Sequence, residues 1–456
     1  MSEPADWNQP PRIQVPPPGP RSRRLAARLA EVESRNVTFL AEDFPIFWEK
    51  SRGSNVWDAD GNRYVDLTGG FGVAAAGHRN HRVMSAIRRQ IGRLPHGMGD
   101  VHPPALKVKL LEALAAVSPI PDPRIVLTCS GAEAVEVALK TARLATGKPG
   151  VIAFSGAYHG LTYGALAVTD RELFRGPFAD QLNPHVIRAP YPNPFRPPAD
   201  LEAEDIGASA LRHVEALLDS APGSAVGAVI VEPIQGRGGD VVPSHSFLTG
   251  LADLCRARGL LLIADEIYTG LGRTGRWFAC EHEGVTPDLV CVGKALSGTL
   301  PIAACIGSRE AMDAWPVSGG EAIHTSTFLG NPLACAAGIA SLGEIRKRGL
   351  VERSADEGER WISELRETLV RHPSVGEVRG RGLMIGIDLI TNRETRAPDP
   401  DLARHVISRG LRCGWIVLAG GPDGNVISLS PPLTLSRELM RAATKMLDEV
   451  IGGAET

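Results

Sequence analysis

Short continuous apolar runs punctuate the middle of the chain, at residues 125–127, 151–154, 228–231, 260–264, 289–292 and 303–306. Runs of this length without polar alternation are the pattern of strands buried on both faces of a parallel sheet. The stretches between them have helical spacing instead. In residues 132–144, for example, Val135, Ala138, Leu139 and Ala142 fall on one face. Strand and helix alternating in this way predict a mostly parallel central sheet covered by helices on both sides, an α/β fold. The pattern assigns residues 76–342 to a large domain.

Outside that region the periodicity changes. In residues 23–75, Leu25, Leu29 and Val32 mark a helix, and Asp60-Gly61 between two alternating runs marks a hairpin. In residues 343–456, helical patterns at 355–370 and 436–451 flank a strand at 383–389. These two ends read as one smaller α+β domain. Residues 1–22 are Pro-rich and polar, have little to bury, and are expected to be a disordered extension.

Composition narrows the class without naming it. At 456 residues the chain is too long for one compact core. A hydrophobic content of 43% with 22% charged residues is that of a soluble globular enzyme. The formal net charge of −3 gives no field to favour nucleic acid or an acidic membrane. The seven cysteines are scattered, with no C-x-x-C pair; several lie inside apolar runs and read as small core residues, and a reducing cytoplasm is the simplest expectation. No run approaches the ~20 apolar residues that span a bilayer, and the N-terminus lacks the apolar stretch of a signal peptide.

Candidate chemistry collects at strand ends. The run at 260–264 finishes in Asp265 and Glu266, and the run at 289–292 finishes at Gly293-Lys294. A lysine can form a Schiff base with an aldehyde cofactor while an aspartate holds its pyridine nitrogen protonated. The pair alone fits a surface salt bridge equally well. Ser130-Gly131-Ala132 opens a helix, where free N–H groups suit a phosphate dianion, although such a cap needs no ligand. Tyr158 follows a strand and could lie on an aromatic ring, and Glu232 ends another strand beside the same pocket. The hydroxyl-rich stretch 324–332, with Thr327, is a second phosphate donor candidate. Phe71 lies in a Gly-rich crossing and reads as core or pocket wall, and His78 reads as a loop histidine bonded to nearby backbone.

The order of these elements is more specific than any one of them. SGAEAVEVALKTAR at 130–143, AYHG at 157–160, EPIQG at 232–236, LLIADEIYTGLGRTG at 261–275, VGKAL at 292–296 and STFLGNPLA at 326–334 follow in sequence. From about residue 44 to 451 the chain resembles the class III, ornithine/4-aminobutyrate-type aminotransferases, which are fold-type I pyridoxal-phosphate enzymes. The resemblance implies that Lys294 carries pyridoxal 5'-phosphate as a Schiff base and shuttles the substrate proton, with Asp265 on the pyridine nitrogen. It implies Tyr158 and Ile267 on the two ring faces and backbone amides of Gly131 and Ala132 on the phosphate. Thr327 would reach the phosphate of the neighbouring subunit in a homodimer with sites at the interface. Tyr268 stands where many relatives have a glutamine touching the ring hydroxyl.

Two departures concern substrate. Relatives reading E-P-x-Q-G-E-G-G pair the second glutamate with an arginine of a C-terminal R-x-x-P-P-L segment, which receives the α-carboxylate of glutamate. Here those positions are Arg237 and Ser428. The expectation is that Arg237 itself clamps a carboxylate, against the alternative that it faces solvent or an acid. The leading reading is ping-pong transfer of an amino group from an amine or amino acid to a 2-oxo acid. An amino-acid racemase or epimerase of the same family needs the same Lys294–Asp265 core and competes with it. A non-catalytic protein that had kept the fold would be expected to lose one of that pair, and both are present.

Overall fold

The computed structural model describes residues 7–220 and 222–455. Three strands near the N-terminus, β1 (Trp48–Arg52), β2 (Asn55–Asp58) and β3 (Arg63–Asp66), pair antiparallel. The turn joining β2 to β3 contains the Asp60-Gly61 of the sequence, with Gly61 at φ 89°. Asp58 holds that turn by accepting from the backbone N–H of Asp60 and of Asn62.

The centre of the molecule is a seven-stranded sheet. Its members are β4 (Arg124–Thr128), β5 (Gly150–Phe154), β6 (Val186–Ala189), β7 (Val226–Val231), β8 (Leu261–Asp265), β9 (Leu289–Val292) and β10 (Ala303–Gly307). They lie in the order β4-β10-β9-β8-β7-β5-β6. Pairing is parallel from β9 through to β6, whereas β10 runs antiparallel to both neighbours. Every residue of β5, β7, β9 and β10 is buried, because helices cover both faces. The helix Gly131–Thr146 is one of these, with Val135, Ala138 and Ala142 in the core.

Toward the C-terminus, β11 (Val375–Arg381), β12 (Met384–Leu389), β14 (Leu418–Gly420) and β15 (Val426–Leu429) form an antiparallel sheet in the order β11-β12-β15-β14. Strand β13 (Trp415–Ile416) leaves it to pair parallel with β3, so one small sheet contains residues from both ends of the chain. The helices Leu350–Leu369 and Arg437–Glu455 pack beside these strands.

The Pro-rich start differs from expectation. Residues 1–6 lie outside the described residues, but from Trp7 onward the segment expected to be disordered is docked on the β1–β3 sheet. Gln9 N–H donates to Asn55 Oδ1, and the N–H groups of Gln14 and Val15 donate to Asn62 Oδ1. Arg12 and Arg63 exchange backbone bonds. Asp60 then accepts from the N–H of Arg21 and Ser22, capping the helix Pro20–Val32. The segment is ordered by satisfying buried asparagines as well as by burying Pro17 and Pro18 and packing Ile13 against Val56 and Tyr64, and the first of these causes is one that hydropathy does not register.

Candidate active site

Strands β8 and β9 are neighbours, so their C-terminal ends bring Asp265 and the residues after Val292 together. Asp265 sits opposite Cys291, and the chain then turns through Gly293 into Lys294. Lys294 has φ 42°, a left-handed conformation unusual for a side chain with a Cβ and typical of residues held for function. Its ammonium lies 4.1 Å from the centre of the Tyr268 ring. Burial pulls the Lys294 pKa down to about 8, with Asp265 and Glu232 opposing and Arg237 and Arg273 assisting.

Asp265 is 4% exposed, and its two oxygens are assigned. Oδ2 lies 2.7 Å from His159 Nδ1, and Oδ1 accepts from the Ile267 N–H at 3.1 Å. His159, in the AYHG motif, was not singled out in the sequence. A buried histidine on a carboxylate leaves no periodic signal; only its place two strands away from Asp265 reveals it. Glu232, also buried, accepts from the N–H groups of Tyr158 and Gly236. Burial pushes its carboxyl up to about 6; His159 opposes this and Asp265 adds to it. The loop after β5 is therefore fixed to the end of β7 by one carboxylate.

A cavity of about 310 Å³ opens over Lys294, lined among others by Phe71, Tyr158, Arg237, Tyr268 and Ser428. Tyr268 is wedged between two glycines: a Cβ on Gly236 would come within 2.3 Å of its ring and one on Gly72 within 2.8 Å. Its hydroxyl donates to Ser430 Oγ at 2.7 Å, and Ser430 donates on to the Thr68 carbonyl. Arg237 stacks near Tyr158, with its guanidinium carbon 5.1 Å from that ring and 5.9 Å from the Phe174 ring. Among the described residues no carboxylate lies within ion-pair distance of it. Behind Ser428 lies Asp240, whose carboxyl burial pushes up to about 7.

The helix Gly131–Thr146 points its start at the same region. Ser130 accepts from Glu133 N–H, and Glu133 accepts from Cys129 N–H, which leaves the first-turn N–H groups of Gly131 and Ala132 without intrahelical acceptors. Gly131 sits close against Ile267: a Cβ there would lie 2.9 Å from Ile267 Cδ1. Thr327 is not part of this cluster. It is exposed on the loop before the helix Pro332–Lys347. His78, expected on backbone, pairs its ring with a carboxylate: Nε2 lies 2.7 Å from Asp66 Oδ2.

A lysine and a buried carboxylate at adjacent strand ends, beside a helix start with free amides, are the donors that a pyridoxal-phosphate site on a fold-type I sheet calls for. The donor set fits that cofactor: an amine for its aldehyde, a carboxylate for its ring nitrogen, and N–H groups with a favourable dipole for its phosphate. The chain belongs to the family described as "Aminotransferase class-III", which matches residues 39–451. It is 40% identical over 446 residues to a 4-aminobutyrate aminotransferase of Mycobacterium leprae, covering 95% of this chain and 96% of that one. It is 33% identical over 447 residues to an alanine/serine racemase of Pyrococcus horikoshii, covering 97% and 92%. Among solved structures it is similar to an amine transaminase from an uncultivated Pseudomonas species, with a TM-score of 0.85, 30% identity and 92% and 98% coverage. The protein is a pyridoxal-phosphate-dependent aminotransferase that moves an amino group from an amine or amino acid to a 2-oxo acid.

Proposed function

We propose that this aminotransferase selects carboxylate-bearing substrates through Arg237 and not through the arginine its relatives place at position 428. The observation that carries the reading is Arg237 itself, an unpaired guanidinium at the cavity that also contains Lys294 and Ser428. Its guanidinium lies over the Tyr158 ring, 5.1 Å from the centroid, and its N–H groups remain available for a bidentate carboxylate. Ser428 is too short and uncharged to do the same work. The glutamate and 2-oxoglutarate pair is therefore not the preferred substrate couple, and monocarboxylate amino acids with 2-oxo acids of similar size are.

When bound, the cofactor supplies an aldehyde for amine exchange and a cationic ring that draws electrons from the substrate carbon. Asp265 keeps the proton on the ring nitrogen, and His159 keeps Asp265 in place. Lys294, neutral in part near pH 8, moves the substrate proton. Tyr158 and Ile267 enclose the ring, Gly131 and Ala132 hold the phosphate, and Tyr268 offers Lys294 its ring face because its hydroxyl is committed to Ser430. Glu232 ties the Tyr158 loop to the pocket, and Phe71 borders the substrate. We further propose a homodimer in which Thr327 completes the partner's phosphate site. Support comes from exposed apolar side chains on the same loop and on the segment after the helix His81–Ile91, including Val317, Ile323, Phe328, Leu94 and Met98. The free cysteines suit a cytoplasmic protein.

The test is a half-reaction of the holoenzyme with single amines and amino acids (4-aminobutyrate, ornithine, lysine, leucine and alanine), run in ordinary and in deuterated water without any oxo acid. Conversion of the cofactor to its amine form identifies the donor class. Deuterium at the α-carbon with inversion and no such conversion would instead mark a racemase. Arg237→Ala should raise KM for the preferred 2-oxo acid by roughly 10- to 100-fold, the worth of a charged hydrogen-bonded pair. An unchanged KM would sink the clamp.

A further inference from the structure

Four successive residues beside Lys294 adopt left-handed backbone: Gly69 at φ 55°, Gly70 at 58°, Phe71 at 61° and Gly72 at 76°. Glycine accepts this conformation at no steric cost, but Phe71 does not. Such a turn persists only where its surroundings over-determine it. It is also tightly seated. A Cβ on Gly69 would lie 2.7 Å from the Ser430 carbonyl, and one on Gly72 would lie 2.8 Å from the Tyr268 ring and 3.9 Å from Lys294 Cδ. The turn thus roofs the lysine and presents Phe71, 61% exposed, to the cavity.

Backbone bonds from Gly72 N–H to the Thr68 carbonyl and from Ala74 N–H to the Gly69 carbonyl close it, and one buried carboxylate gathers the donors at its start. Asp66 ends β3 and is fully buried. Oδ1 accepts from the Thr68 N–H at 2.8 Å and the Thr68 hydroxyl at 2.7 Å; Oδ2 accepts from the Gly70 N–H at 2.9 Å and faces His78 Nε2 at 2.7 Å. Burial alone would push this carboxyl upward, but the bonds from His78 and Thr68 outweigh it and hold the group below its ordinary range. His78 is anchored in turn, exchanging backbone bonds with Gly53 and setting its ring edge-on to Trp48 at 5.8 Å.

We infer that the Asp66–His78 pair is a positioning device for the substrate pocket: it locks the left-handed turn Gly69–Gly72 and so fixes Phe71 and the roof over Lys294. Removing the imidazole leaves Asp66 with a buried charge and one donor fewer, which loosens its hold on Thr68 and Gly70. His78 touches neither Lys294 nor the cavity wall made by Tyr158 and Arg237. Its loss therefore acts on substrate fit more than on cofactor capture. The inference rests on the functional reading above.

The test compares wild type, His78→Ala and His78→Gln, the glutamine retaining an N–H donor for Asp66. Amide hydrogen exchange over residues 67–72 is read in the apoprotein, and half-reaction kinetics with 4-aminobutyrate, leucine and alanine are read in the holoprotein. His78→Ala should speed exchange at Thr68 and Gly70 and raise KM for the best donor by about tenfold. Its limiting rate and its cofactor absorbance should change by less than about twofold. His78→Gln should recover both exchange and KM. Unaltered exchange or unaltered KM in His78→Ala, or no recovery by glutamine, would overturn the inference. Should His78→Ala fail to fold, Phe71→Gly serves: it keeps the lock but removes the presented ring, and an unchanged donor preference would overturn the proposed role. A wild-type protein that converts none of the donors would defeat the functional reading, while exchange would still judge the lock.

Discussion

At the scale of single residues, the site works because a few side chains are kept in states that water would not allow. Lys294 is the main case. Its surroundings pull the pKa down to about 8, so that near neutrality an appreciable minority is the free amine, the only form that attacks an aldehyde. The sign is fixed by this direction: raising the pH through 8 increases the reactive fraction. Capture of pyridoxal phosphate by the apoprotein should therefore accelerate with pH and level off above about 8.5, followed by absorbance in stopped flow. An ordinary lysine would still be accelerating at pH 10. Arg237→Ala removes a cation that depresses Lys294, so the same profile should move to slightly higher pH in that variant. Much of this residue set was legible in the sequence, since Lys294, Asp265 and the Gly131 helix start each close a recognisable run. His159 was not. Its role depends on a carboxylate brought to it by sheet order, and no local pattern records that. The fate of Tyr268 was equally hidden, because its hydroxyl is taken by Ser430 from the far end of the chain.

At the scale of elements, apolar runs located the strands well but not their directions. The run at 303–306 became β10, antiparallel to β9 and β4, and a fully buried run has the same composition either way. Strand β6 carries no such run: only its last residue is buried and its Arg188 pairs with Asp170. Close approaches between elements are another thing that periodicity cannot show. Gly358, within the helix Leu350–Leu369, faces the backbone of Gly382 in the turn between β11 and β12. A Cβ there would lie 2.1 Å from the Gly382 carbonyl oxygen. Helix propensity alone says that Gly358→Ala should stabilise the protein by about 1 kcal/mol. The clash is with backbone on both sides, and relieving it by separating helix and hairpin costs roughly 1–3 kcal/mol. Sterics should win. Denaturant unfolding should show a lower midpoint for Gly358→Ala; a higher midpoint would mean that the helix yields easily.

At the scale of the whole molecule, the chain ends are tied into the site they enclose. Residues from Trp7 onward strap the β1–β3 sheet, β13 joins that sheet from the C-terminal part, and Ser430 reaches Tyr268 and Thr68. One side chain assigned to the cofactor stands apart from this arrangement: Thr327 is exposed. In the proposed homodimer it serves the neighbouring site, and that can be decided by mixing. Lys294→Ala and Thr327→Ala subunits are each crippled as homodimers, the first without its amine and the second with a weakened phosphate grip. Unfolded together and refolded at equal ratio, they give half heterodimers by random pairing. If Thr327 acts across the interface, each heterodimer places both defects in one site and leaves the other site intact. About a quarter of all sites should then show wild-type turnover and wild-type affinity for the cofactor. If Thr327 acts within its own chain, every site carries one defect, and mixing restores nothing.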